Sequence, residues 1–173
     1  RLGIIGTGLI GREVAAMGKG LGLDVVAWTF HPDQSLAARL GLRYVELEEL
    51  LRTADIISLH LRATPDTHHF LNRARLALVR SGAILVNTAR GSLVDEAALI
   101  ECLREQKLAG AGLDVFETEP LPSGHPLTTL PNVLLTPHAA GMTPEVIQIG
   151  LAMAVENIEN FLKGKPTHVV APT

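Results

Sequence analysis

Short apolar runs alternate with longer stretches of helical periodicity along the chain. The runs fall at residues 2–5, 25–28, 43–45, 56–59, 83–87, 111–113 and 133–136. They are rich in Val, Ile and Leu, the composition of strands buried on both faces. Strands separated by helical segments predict an α/β fold, a parallel sheet covered by helices on both sides. The helix ends are also marked. Asp95 is placed to cap a helix, with Val94 and Leu99 as a hydrophobic staple. Asp33, after His31-Pro32, reads as another cap. The last helix starts at Thr143-Pro144-Glu145, and its apolar positions are Ile147, Leu151, Ala154, Val155, Ile158, Phe161 and Leu162. Gly164 and Pro166 end it.

The first strand runs into Gly6-Thr7-Gly8-Leu9-Ile10-Gly11, and a helical stretch from Leu9 to about Lys19 runs out of it. A glycine hexapeptide alone is weak evidence; a strand before it and a helix after it make it specific. Gly6 permits the tight turn and Gly8 lets backbone approach a pyrophosphate. Gly11 lets the helix pack on the strand with its N-terminus facing the phosphates. The expected fold is therefore a Rossmann-type doubly wound parallel sheet of about seven strands, α/β/α in three layers, with residues 1–173 as one dinucleotide-binding domain.

Composition narrows the partners. The 173 residues suit a single domain, and 47% hydrophobic with 19% charged residues is a globular balance. A net charge of −3 offers no footprint for nucleic acid or an anionic membrane. No apolar run approaches the ~20 residues of a membrane helix, and no leader pattern is visible. The single cysteine, Cys102, excludes an internal disulfide and any CxxC site, and its apolar helical setting suggests a small buried hydrophobe. No metal site is expected, and a cytoplasmic setting is.

Open α/β sheets bind ligands beyond the carboxyl ends of their strands. After the second strand stands Thr29, where an acid that binds the adenosine ribose is usual. Without that carboxylate a 2′-phosphate meets less repulsion, and His31, Arg39 or Arg43 can attract it; a threonine hydroxyl can still serve a ribose hydroxyl. The sequence thus admits NADP as well as NAD. After three later strands come Thr88-Ala89-Arg90-Gly91, then Asp114 through Glu119-Pro120, then Pro137-His138-Ala139-Ala140-Gly141. An arginine, a carboxylate and a histidine reach the edge that carries the glycine loop. Reduction of a 2-oxo acid needs a cation for the carboxylate and developing oxyanion, and an acid to protonate it. Histidine titrates in the right range, and a neighbouring carboxylate favours its imidazolium. Asp114 is placed to contact a nicotinamide amide instead.

These runs resemble the signatures of the D-isomer-specific 2-hydroxyacid dehydrogenases, over essentially the whole chain. The resemblance extends to Gly164-Lys165-Pro166-Thr167-His168-Val169-Val170, which is similar to the family's return segment. It implies hydride transfer between a nicotinamide dinucleotide and a small 2-oxo or 2-hydroxy acid. In that reading Arg90 binds the substrate carboxylate and carbonyl, His138 is the acid/base and Glu119 its partner. It also implies that Leu9, Ile10, Thr29, His31, Leu61, Thr88, Ala89, Arg90, Asp114, His138, Ala140 and Gly141 lie along the cofactor with Gly6, Gly8 and Gly11. Thr29, and Arg62-Ala63 where Pro-Leu is usual, depart from the family pattern.

Family members carry a second, substrate-binding domain built mostly from residues before the glycine loop. The chain therefore resembles an excised cofactor domain, expected to bind dinucleotide but turn over 2-oxo acids poorly, and to form a homodimer. A short-chain dehydrogenase does not fit, because Glu48 stands where a lysine would have to follow Tyr44. A dinucleotide-sensing, corepressor-like binding protein is the other reading.

Overall fold

Among the described residues seven strands form, one from each apolar run, and they join in a single parallel sheet. They are β1 (Leu2–Ile5), β2 (Val25–Trp28), β3 (Arg43–Tyr44), β4 (Ile56–Leu59), β5 (Ala83–Asn87), β6 (Leu108–Leu113) and β7 (Val133–Leu135). Their order is β3-β2-β1-β4-β5-β6-β7. This is the doubly wound arrangement expected, with every neighbouring pair parallel. The structure is a computed structural model that describes residues 1–169. The chain divides into two compact units, residues 1–138 and the segment from Ala139 onward.

Alternation along the strands explains why both faces need cover. Ile4 and Ala27 point into one apolar cluster with Ala15 of α1 (Leu9–Gly20) and Ala37 of α2 (Gln34–Leu40). Their neighbours Ile5 and Val26 point into the other, larger cluster. That cluster gathers Leu50 and Leu51 of α3 (Leu47–Thr53), Leu76 of α4 (Arg73–Leu78) and Leu99 and Leu103 of α5 (Glu96–Arg104). Ile4, Ile5, Leu50 and Leu51 have no exposed surface at all. Burying each is worth roughly 1.5–3 kcal/mol.

The caps act as read. Asp33 Oδ1 accepts from the Ser35 and Leu36 amides at 2.9 and 3.1 Å, and Asp95 Oδ1 accepts from Ala98 at 3.0 Å. Each such cap is worth about 1 kcal/mol. Val94 and Leu99 are both buried beside Asp95, as a staple requires.

Two local expectations change. β6 starts at Leu108, three residues ahead of the apolar run read from sequence, because Leu108 and Gly110 pair with Ala83 and Ile84 across a register shift that passes over Ala109. Cys102 is half-buried, not sequestered: α5 turns Ala98, Leu99, Ile100 and Leu103 inward and leaves the thiol at the margin. Burial there pushes the thiol pKa up.

In the second unit, Thr143 Oγ1 accepts from the Val146 amide and opens α6 (Pro144–Leu162). Gly164, at φ +70, follows its last turn. The periodic apolar positions are present as read, but none is buried; Leu151 is 64% and Phe161 71% exposed. Among the described residues no helix is long and apolar enough to cross a membrane. Residues 170–173, the end of the return segment, lie outside the described residues.

Candidate functional site

The strand order reverses between β1 and β4, and crevices at such switch points are where doubly wound sheets bind ligands. The glycine loop leaves β1 there, beside His60 and Leu61 at the end of β4. Contact is close enough to dictate residue type. Gly6 has φ +98, and a Cβ on it would lie 2.7 Å from the His60 carbonyl oxygen. A Cβ on Gly11 would lie 1.9 Å from the Gly6 carbonyl oxygen. These two glycines are the turn and the helix contact that the motif predicts.

Gly8 differs. It is the exposed residue capping α1, no side chain caps that end, and a Cβ on it would meet nothing within 4 Å. No acidic residue occupies the first turn of α1. The positive end of a twelve-residue helix thus faces open space across bare backbone, a fit for a pyrophosphate. Leu9 and Ile10 stand exposed beside it. Ile10, His60, Leu61, Thr88, Ala89 and Arg90 line a hollow of about 380 Å³. The glycine loop, Leu61 and the Thr88–Arg90 turn therefore come together, as expected from sequence.

Thr29 is half-buried at the end of β2, and His31 is exposed beyond it. Thr29, Arg43, Tyr44, Glu46 and Glu49 share a second hollow of about 700 Å³. In the sequence Tyr44 serves only to exclude a short-chain dehydrogenase. Its hydroxyl lies 3.0 Å from Thr7 Oγ1 and links β3 to the glycine loop. His60 likewise carries no signal in the sequence. Burial lowers its pKa, and its Nε2 lies 2.9 Å from Ser58 Oγ, so a neutral ring supports the floor of the crevice.

Arg90 sits in a turn built by Asn87, whose amide donates to the Arg90 carbonyl at 2.9 Å while its oxygen accepts from the Ala89 amide at 3.0 Å. Gly91 then passes so close to the next loop that a Cβ would lie 1.9 Å from the Phe116 carbonyl. That contact sets the Arg90 turn against the segment carrying Glu119. Arg90 is exposed, and its Nη1 donates to the Ala89 carbonyl at 2.6 Å.

Glu119 Oε1 accepts from the Phe116 amide at 2.9 Å, and its Oε2 lies 2.6 Å from His138 Nδ1. The hydrogen bond from His138 is the main reason the Glu119 carboxyl is held below its ordinary pKa; the Phe116 amide adds to it, and the Arg90 charge also contributes. His138 adopts φ +53, and together with Phe116, Glu119, Pro120, Leu121 and Pro137 it lines a hollow of about 490 Å³.

Asp114 is buried at the end of β6 and accepts a hydrogen bond from the Thr136 hydroxyl. Ala140 and Gly141 belong to the second unit, in the segment before α6. The loop after β6 has a further brace that sequence did not signal. Glu96 accepts from the Glu117 amide at 3.2 Å and lies 3.1 Å from His125 Nε2. His125 Nδ1 accepts from Leu127, which leaves the proton on Nε2 to donate to Glu96.

The profile of the D-isomer specific 2-hydroxyacid dehydrogenase, NAD binding domain, matches residues 1–140. A glyoxylate reductase of Aeropyrum pernix is 46% identical over 164 residues, which is 95% of this chain and 49% of that protein. Among solved structures, a D-lactate dehydrogenase of Aquifex aeolicus complexed with NAD and lactic acid superimposes with a TM-score of 0.87 at 36% identity, over 95% of this chain and 54% of that one. An acyclic imino acid reductase in complex with NADPH and D-Arg gives 0.86 at 34% identity, over 98% and 53%. The chain spans about half the length of the curated relatives it matches. With the profile covering the sheet, the glycine loop and the His138–Glu119 pair alike, the chain belongs to the D-isomer specific 2-hydroxyacid dehydrogenases and corresponds to their NAD binding domain.

Proposed function

We propose that this chain is the cofactor half of an enzyme that interconverts a small 2-oxo acid and its D-2-hydroxy acid, with Arg90, Glu119 and His138 as its catalytic residues. The observation that carries the proposal is the 2.6 Å His138–Glu119 hydrogen bond, with Arg90 on the turn that Gly91 packs against the same loop. The dinucleotide, when bound, supplies or takes up the hydride. Gly8 and the N-terminus of α1 hold its pyrophosphate.

Arg90 binds the substrate carboxylate and stabilises negative charge on the carbonyl oxygen. Glu119 accepts the Nδ1 proton, which fixes the imidazole plane and leaves Nε2 to exchange a proton with the substrate oxygen. In the reduction the imidazolium, whose charge the Glu119 carboxylate balances, gives its Nε2 proton to the substrate oxygen; in the oxidation Nε2 takes that proton and the carboxylate stabilises the imidazolium that forms. Asp114, Thr88, Ala140 and Gly141 are carried over as cofactor neighbours from the family pattern.

The proposed cofactor is NAD. Thr29 offers a hydroxyl to the adenosine ribose, while Glu46 and Glu49 share the hollow with Arg43 and oppose a 2′-phosphate. Relatives named as enzymes favour catalysis over a purely sensing, corepressor-like role. The substrate-binding half is proposed to lie in the part of such enzymes that this chain does not match, so the 173-residue chain alone turns over 2-oxo acids poorly. A homodimer in the cytoplasm completes the reading. The test is oxidation of NADH by the complete enzyme with a panel of 2-oxo acids. Turnover that survives His138→Gln undiminished would overturn the assignment.

A further inference from the structure

We propose that His68, His69 and Glu117 form a binding site for a divalent transition-metal ion of the zinc type, apart from the Arg90–Glu119–His138 constellation. One ligand atom from each of the three lies within 4.8 Å of the other two. His69 Nε2 and Glu117 Oε1 are already 2.7 Å apart, and the rings of His68 and His69 stack with centroids 4.0 Å apart at 28°. Consecutive side chains on extended backbone point to opposite sides. Here His69 takes φ +48, and that kink lets both imidazoles face the same carboxylate.

The backbone that carries these groups is held from outside the cluster. The His69 amide donates to the Ser92 carbonyl at 2.8 Å, and the Glu117 amide donates to Glu96 at 3.2 Å. Between them, Gly91 packs directly on Phe116 and Glu117. Two segments far apart in sequence are thus fixed face to face before any ion arrives, which lowers the cost of ordering ligands.

The donor set suits the ion. Two imidazole nitrogens and a carboxylate oxygen are ligands that zinc accepts at about 2.0–2.2 Å, with the remaining position left to water. Tetrahedral sites place such atoms roughly 3.3 Å apart, so a bound ion spreads the His69–Glu117 contact slightly and draws His68 in, replacing the proton that the pair now shares. His68 and Glu117 are exposed and His69 is half-buried, so an ion enters without any opening motion. The expectation that no metal site exists rested on the absence of paired cysteines; it could not register a carboxylate 48 residues from its histidine. A bound ion would tie the segment after β4 to the loop that carries Glu119.

Titration of the chelator-treated 173-residue chain with Zn²⁺ alone, by calorimetry, tests this. One ion per chain is expected, with affinity reduced at least about tenfold in His69→Ala and in Glu117→Gln. His138→Ala and His168→Ala should leave zinc affinity unchanged. Histidine ring resonances in the unaltered chain give a readout that needs no variant: Zn²⁺ should shift those of His68 and His69 first. Absence of binding overturns the proposal, as does binding that follows His138 and Glu119 instead of His69 and Glu117.

Discussion

His138 and Glu119 are joined through Nδ1 and Oε2 at 2.6 Å, while the other carboxylate oxygen is anchored to the Phe116 amide at 2.9 Å. The histidine is thereby oriented by a group that is itself oriented. Replacing Glu119 with Gln keeps the shape and removes the charge. In the complete enzyme, kcat should fall by about 10–100-fold, because the imidazole loses the charged partner that orients it. His138→Gln should cost more, about 10²–10⁴-fold. Equal losses in the two variants would contradict the assigned roles.

The same pair makes a prediction about acid. The Glu119 carboxyl is held below its ordinary value of 4.5, first by the hydrogen bond to His138. A depressed folded-state pKa contributes stability that is fully present above the unfolded value and is lost as the pH falls through the folded one. Unfolding free energy should therefore drop less steeply below pH 4.5 in Glu119→Gln than in the unaltered chain. Denaturant melts between pH 3 and 6 measure this. Because the pair is partly exposed, the difference should be small and should shrink with salt.

His60 should act in a higher window. Burial lowers its pKa below 6.5, so between 6.5 and the folded value the unfolded chain binds more protons than the folded one. Stability should be fully present above 6.5 and decline as the pH falls below it. His60→Asn should flatten that decline, read from chemical denaturation curves at stepped pH.

Gly8 and Gly11 should separate fold from binding. Ala at position 11 places a methyl 1.9 Å from the Gly6 carbonyl oxygen, where only backbone can yield. A loss of about 1–3 kcal/mol or more in stability is expected, with binding impaired as a consequence. Ala at position 8 meets nothing within 4 Å, so thermal stability should barely change while dinucleotide affinity falls. Calorimetric melts alongside NADH titrations distinguish the two.

What could be read from sequence was whatever is local or periodic. The caps Asp33, Asp95 and Thr143, the strand ends that deliver Arg90, Glu119 and His138, and the glycine loop are each written within a few neighbouring residues. The contacts that brace them are not. Thr7 meets Tyr44, Gly91 meets Phe116, Glu96 meets His125 and His69 meets Glu117 only after the sheet has ordered its strands. Periodicity carries no information about such pairs. α6 shows the reverse limit: its spacing is helical, yet spacing alone says nothing about whether an apolar position is covered.

Cofactor choice follows from the hollow beyond β2. Thr29→Asp should raise the preference for NADH over NADPH by about tenfold or more, since one added repulsive contact worth 1.4 kcal/mol has that effect. An unchanged ratio would mean that the adenosine ribose does not sit beside Thr29.

The central claim is tested most directly by titrating the 173-residue chain with NADH. Trp28, the sole tryptophan, lies beside Thr29 at the end of β2 and should transfer excitation to the nicotinamide as the complex forms. Saturable binding of one NADH per chain, competed by NAD and weakened in Gly8→Ala, is the predicted result. A folded chain that shows no saturable binding would contradict the account.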